Sequence, residues 1–340
     1  MRWSVSAMKL LSCVEICTGA GGQALGLAMA GFVHVALVEY EKEYCEILKQ
    51  NRPEWPVICA DVKDFDGRPY HGVDLFAGGV PCPPFSVAGK QLGANDERDL
   101  FPEALRLIKE IEPRAIMLEN VRGFLDPSFA QYREYIMSSI EELGYTAQIK
   151  LLNASDYGVS QLRPRVVIIG IKKNEPGQFT YPPPHPSDTP TVGELLADLM
   201  SENGWKGAKK WIAQANKIAP TIVGGSKKHG GPDLGPTRAR NAWALLGVDG
   251  RSIANEAPDT SFEGLPKLTP RMMARVQGFP DTWSFGKTKT RACRMIGNAF
   301  PPPVAMAVGE KIKECLLYDG LTEPRKDTVS PKPITLNFDH

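Results

Sequence analysis

The 340-residue chain predicts an α/β protein: a mostly parallel, doubly wound, Rossmann-like sheet with a small irregular second region. Three observations predict it. Over the first 170 residues, short apolar runs alternate with helical patterns, as parallel strands between covering helices require. A glycine cluster follows the first apolar run. A basic stretch crowded with Gly and Pro then intervenes before helical periodicity returns near the C-terminus. Hydrophobic residues at 42% and charged residues at 23% exclude a disordered, collagen-like or coiled-coil chain.

In order along the chain, residues 10–16 read as a strand and 23–29 as a helix behind a glycine turn. Residues 33–38 form a second strand, and 41–50 a helix stopped by Pro53. Further buried strands are expected at 57–59, 73–77, 115–118 and 166–171, with helices at 102–111 and 128–143. The pattern changes near Glu175. Residues 181–190, YPPPHPSDTP, read as a linker, because proline fixes φ and lacks an N–H. Residues 221–240 read as loops over few short strands. Helices return at 270–277 and 303–317, the latter opening on proline. The layout is a large α/β domain at 1–178, a linker and small basic domain at 179–265, and a C-terminal return at 266–340.

The formal net charge of +1 hides an asymmetry. From Lys206 to Arg251, nine Lys or Arg face only Asp233 and Asp249, so this stretch carries +7 and the rest −6. A basic segment in an otherwise acidic chain points to an anionic partner. Seven cysteines, an odd number without paired metal-ligand spacing, predict a reduced, cytoplasmic chain with no zinc site. No apolar run reaches the length of a membrane span, and no signal-cleavage pattern follows the N-terminus.

Two clusters carry chemistry. Gly19, Gly21 and Gly22 open a helix after the first strand, where glycine permits either a plain tight turn or close approach of a ligand. Glu39 ends the second strand, 20 residues after Gly19, and could bind a ribose hydroxyl pair. Asp61 follows the third and could accept from an adenine amino group. Together these favour a nucleoside-containing cofactor, without saying which. The second cluster is GVPCPPFS, residues 79–86. Cys82 sits between prolines on a rigid backbone after a strand, where an open α/β sheet presents its chemistry. That setting suits a nucleophile, whereas Cys13, Cys45 and Cys59 read as small buried hydrophobes.

Five ordered motifs resemble those of the C5-specific cytosine DNA methyltransferases. They are Pro81-Cys82, Glu119-Asn120-Val121, Gln161-Leu162-Arg163-Pro164-Arg165, the segment RMMARVQGFP at 271–280, and Gly297-Asn298-Ala299 followed by Pro301. The resemblance covers nearly the whole chain outside the basic segment. It implies a methyltransferase-type Rossmann-like fold with a target-recognition domain, S-adenosylmethionine as methyl donor, no metal, and double-stranded DNA as substrate. It further implies a monomer acting in bacterial or phage modification, with a cognate restriction endonuclease as functional partner.

By the same resemblance Cys82 attacks cytosine C6, Glu119 shares a proton with N3, and Arg163 and Arg165 hold O2 and the nearby backbone. Gly19, Gly21, Gly22, Glu39, Tyr40, Asp61, Pro81 and Asn298 line the donor site, with Tyr40 stacked on the adenine. The two arginines alternate on an extended segment and so are expected to point the same way. Residues 86–100, with Gly89 and Gly93, suit a loop closing over a flipped-out base. Arg238, Arg240 and Lys228 are candidates for DNA contact. Two departures stand out: Cys17 replaces a customary aromatic before the glycine turn, and Met272 replaces a frequent Glu. Alternatives are a tRNA methyltransferase, whose Cys-Phe-Thr triplet is not found here, a nicotinamide-dependent oxidoreductase, and a silent DNA-binding protein.

Overall fold

The computed structural model describes residues 10–81, 99–224 and 232–318. Among the described residues nine strands run in chain order: β1 (Leu11–Ile16), β2 (Phe32–Glu39), β3 (Val57–Cys59), β4 (Leu75–Gly79), β5 (Ala115–Val121), β6 (Tyr145–Asn153), β7 (Gln161–Leu162), β8 (Pro164–Lys172) and β9 (Ala219–Pro220). Seven of them form one sheet in the order β3-β2-β1-β4-β5-β8-β6. The first five are parallel, and β8 lies antiparallel to both β5 and β6. The apolar runs expected at β1, β2, β4, β5 and β8 are largely buried strands, whereas β3, expected to be buried, is an edge strand on which Cys59 is exposed. Strand β6 was not among the expected elements. As an edge strand its exposure alternates, so YTAQIKLLN carries no continuous apolar run.

Helices cover both faces. Helices α1 (Gly22–Met29) and α2 (Lys42–Asn51) connect the first three strands, and α3 (Phe101–Ile111) and α4 (Ala130–Glu142) precede β5 and β6. On one face Phe101, Leu107 and Ile111 of α3 and Ile136 of α4 pack on Val14, Phe76 and Ile116. On the other, Leu27 of α1 packs with Val304, Val308 and Ile312 over Leu75 and Met117. Each such buried side chain contributes roughly 1.5–3 kcal/mol against exposure.

The region from 192 onward differs from its sequence reading. Between residues 192 and 265 its described part holds four helices, α5 (Val192–Leu195), α6 (Ala197–Ser201), α7 (Ala208–Gln214) and α8 (Thr237–Leu245), and β9 as its strand. Residues expected as loops at 237–240 begin α8. These helices are too short to show a clear period, and buried Trp211 and Trp243 organise them instead. That core continues through Met273 and Val276 of α9 (Pro270–Val276) and Ile296 of α10 (Lys289–Asn298) to Leu48 of α2. The terminal helix α11 (Pro302–Leu317) supplies the valines and isoleucine packed over α1.

Strand order reverses between β1 and β4, which opens a crevice at the carboxyl ends of the sheet. Gly19, Glu39, Asp61, Pro81 and Glu119, among the strand-end residues singled out from the sequence, lie along that edge.

Candidate active site

One half of the edge is built by β1, β2 and β3. Cys17 and Gly19 take left-handed backbone conformations, with φ of 51° and 59°, and turn the chain from β1 into α1. The Gly19 N–H donates to Glu39 Oε2 at 2.7 Å, and the Glu41 N–H donates to Oε1 at 2.8 Å. Glu39 is thereby fixed at the end of β2 beneath the glycine turn. Burial pushes its carboxyl above the usual range, against the pull of those N–H groups. Asp61 follows β3 and accepts from the Lys63 N–H at 3.0 Å, capping a single 3₁₀ turn. Tyr40, next after Glu39, is 68% exposed.

The glycines differ in what surrounds them. A side chain at Gly19 would meet no atom within 4 Å, whereas a Cβ at Gly22 would lie 2.1 Å from the Phe300 carbonyl oxygen. Gly21 lies against Leu48 and Trp283. Open space above Gly19, a buried carboxylate at Glu39 and an exposed ring at Tyr40 fit a nucleoside-bearing donor. Cys17 stands where the aromatic was expected, and burial holds its thiol far above the ordinary range.

The other half is built by β4, β5 and β8. A Cβ on Gly79 would lie 3.4 Å from Glu119 Oε2 and 3.8 Å from the Cys17 carbonyl oxygen, so the two halves meet there. The Asn120 side chain donates to the Val80 carbonyl at 2.8 Å and accepts from the Val121 N–H at 2.8 Å. The Leu100 N–H reaches the Pro81 carbonyl at 3.4 Å. Pro81 is exposed and ends the described chain on this side; Cys82, Lys90, Arg98 and most of the expected loop at 86–100 lie outside the described residues. Glu119 is buried, with Arg165 Nε 2.8 Å from its Oε1. Burial raises the Glu119 carboxyl, and Arg165 and then Arg163 oppose that shift. The site thus holds a carboxyl raised by burial beside a guanidinium.

Arg163 turns elsewhere. It precedes β8, is 1% exposed, and donates to the carbonyls of Ile222 at 2.7 Å, Gly297 at 2.6 Å and Ala299 at 3.0 Å. Asn298 is exposed at the end of α10, beside Gly224. Arg238 and Arg240 stand on α8, where Arg240 donates to Thr237 Oγ1 at 3.2 Å; Lys228 lies outside the described residues.

The sequence profile of the family described as C-5 cytosine-specific DNA methylase matches residues 11–314. The type II methyltransferase M.NgoMIV of Neisseria gonorrhoeae is 55% identical over 306 residues, covering 89% of this chain and 97% of that protein. The type II methyltransferase M.NaeI of Lentzea aerocolonigenes is 53% identical over 319 residues, covering 92% of this chain and 77% of that protein. The chain belongs to the C-5 cytosine-specific DNA methylases. Among solved structures, a candidate DNA modification methyltransferase from an Escherichia coli prophage superposes with a TM-score of 0.66 at 23% identity. It covers 90% of this chain and 99% of that chain, which shows the shared fold.

In this methylase the sequence motifs are spatially sorted. Glu119 and Arg165 come together, as do Gly19 and Glu39. Three positioning groups had no predicted role: Asn120, which holds Val80, and Gln161 and Gln277, which bond each other at 2.6 Å. Their presence inside the quoted motifs was the signal that could have found them. At the second departure, the Thr269 N–H reaches Met272 Sδ at 3.5 Å, so a thioether takes the place a carboxylate would have in that helix cap. Among the described residues no helix is long and apolar enough to cross a membrane.

Proposed function

We propose that this methylase moves a methyl group from S-adenosylmethionine to C5 of a cytosine flipped out of duplex DNA, at one short sequence. The observation that carries this reading is the buried Glu119–Arg165 pair at the strand ends, beside the Pro81 that leads into Cys82. When bound, the donor supplies an electrophilic methyl on a sulfonium. Gly19 and Gly21 leave backbone room for it, Glu39 meets its ribose, Tyr40 covers its adenine and Asp61 meets the adenine amino group. Asn298, Gly22 and Pro81 border the same site.

The protein's own groups handle the cytosine. C5 is a weak nucleophile until the Cys82 thiolate adds to C6, moving the C5–C6 electron pair toward C5. Glu119 gives or shares a proton at N3, which relieves charge developing on the ring. Arg165 donates to O2 while holding Glu119 in place. After methyl transfer a base removes the C5 proton, the electrons re-form the double bond, and Cys82 leaves as thiolate. A base stacked in a duplex is out of reach of such a site, so flipping is required. The basic segment meets phosphates and base edges, and so carries target recognition over residues 179–265. The protein acts as a cytoplasmic monomer, without a metal, as the modification partner of a restriction endonuclease.

Incubation with labelled S-adenosylmethionine and unmethylated genomic DNA, followed by bisulfite sequencing, tests the reading. Label at C5 within one short context is expected. Label in tRNA alone would replace it with the RNA reaction, and no label in either would leave a silent DNA binder.

A further inference from the structure

Gln161, Arg163 and Gln277 are almost wholly buried, at 0%, 1% and 0% exposure, and together they bind two distant stretches of backbone. Gln161 Oε1 accepts from the Ile222 N–H at 2.8 Å, while Arg163 Nη1 donates to the Ile222 carbonyl at 2.7 Å. Both polar groups of Ile222 are thus held. Gln161 also donates to Gln277 Oε1 at 2.6 Å, and Gln277 donates to the Ala299 carbonyl at 2.6 Å. Arg163 Nη2 completes the ring through the carbonyls of Gly297 and Ala299.

Those two carbonyls sit at the C-terminus of α10, where a helix leaves C=O groups without partners and its dipole favours a cation. Arg163 is therefore a buried cap on α10 whose other hand holds the chain entering the basic segment. The contact is close. A Cβ on Gly297 would lie 2.3 Å from Gly224 N, and one on Gly224 would lie 2.1 Å from Asn298 Oδ1 and 2.6 Å from the Arg294 carbonyl oxygen. Paired β7 and β9 lead into the same joint.

We infer that Arg163 is a positioning residue: it sets where the DNA-reading segment stands relative to the catalytic strand ends, and it does not touch the cytosine. This rests on the reading above that the basic segment recognises DNA. Burying a guanidinium is costly unless its donors are satisfied, and here backbone carbonyls from two segments take both Nη groups, while Nε is buried without a partner. Lysine has one compact charge in place of a planar fork and is a poor substitute for reaching three carbonyls.

Steady-state kinetics of Arg163→Lys and Gly224→Ala, the second acting from the opposite side of the joint, test this. Both variants should raise the KM for cognate duplex by about tenfold or more and weaken discrimination against a duplex with one changed base. In both, kcat at saturating DNA and donor should stay within about threefold, and in Arg163→Lys donor affinity should stay within about twofold. If Arg163→Lys fails to fold by circular dichroism, the Gly224→Ala signature alone decides. A kcat loss of about a hundredfold at unchanged KM in Arg163→Lys would place the arginine on the cytosine and overturn the inference. Wild-type KM and discrimination in Gly224→Ala would also overturn it. A wild-type protein that transfers no methyl to DNA would sink the underlying reading, a result distinct from either.

Discussion

Arg165 Nε lies 2.8 Å from Glu119 Oε1, the two side chains meeting across antiparallel neighbours β8 and β5 with about a tenth of each exposed. The pair is under opposing pressures. Burial favours the protonated acid, while the guanidinium favours the carboxylate. Burial is the larger influence, so the carboxyl sits above its ordinary range.

Glu119→Gln should therefore lower kcat by about 10²–10⁴-fold while DNA affinity by filter binding is kept. In the wild type, kcat at saturating substrates should fall as pH rises through the elevated Glu119 value, because the group then loses its proton. An unchanged kcat in the amide variant would remove Glu119 from proton transfer.

Cys82→Ser should abolish methyl transfer and leave DNA binding intact, since a hydroxyl is a far poorer nucleophile toward C6 at neutral pH. Denaturant-resistant trapping of the wild type on DNA carrying a 5-fluorocytosine target should disappear in the variant. Retained turnover would take Cys82 out of the mechanism.

Gly19→Ala and Gly22→Ala should separate a binding glycine from a packing one. At Gly19 the added methyl enters open space on a left-handed backbone, so stability should fall by only about 1–2 kcal/mol while donor affinity drops. At Gly22 the methyl meets the Phe300 carbonyl, and the loss should be about 1–3 kcal/mol or more of stability. Urea unfolding and donor titration of each variant check both expectations; equal stability losses would contradict the distinction.

His34 gives a pH dependence of stability. Its Nε2 meets the Ala24 carbonyl at 2.9 Å, and burial lowers its pKa from 6.5 to about 4. Between those values the unfolded chain binds the proton and the folded chain does not, so stability falls as pH falls from about 6.5 to about 4. The contribution is roughly 3 kcal/mol. His34→Phe should lack this component in urea unfolding followed across that range; parallel curves for the two proteins would refute it.

Much of this was legible in the residues themselves. Alternating apolar and helical runs place β1 to β5 and their helices, and right-handed crossovers carry the strand ends to one edge. Glycine at 19, carboxylates at 39, 61 and 119, and Pro81 then fall on that edge because each follows a strand. Edge strand β6 and the short helices around Trp211 and Trp243 left no such trace, since their burial is decided by distant neighbours.

The sequence by itself determined the family and the parallel part of the sheet with its strand-end positions, because these follow from local periodicity and ordered motifs. Tertiary structure alone decided which side chains share a task. Gln161-Leu162-Arg163-Pro164-Arg165 reads as one extended run, yet β8 begins at Pro164, so the two-residue alternation does not govern Arg163. Arg165 turns to Glu119, and Arg163 to carbonyls 59, 134 and 136 residues away. A buried guanidinium goes where acceptors can satisfy it, and those acceptors exist only once α10 and the entry to the basic segment have packed together.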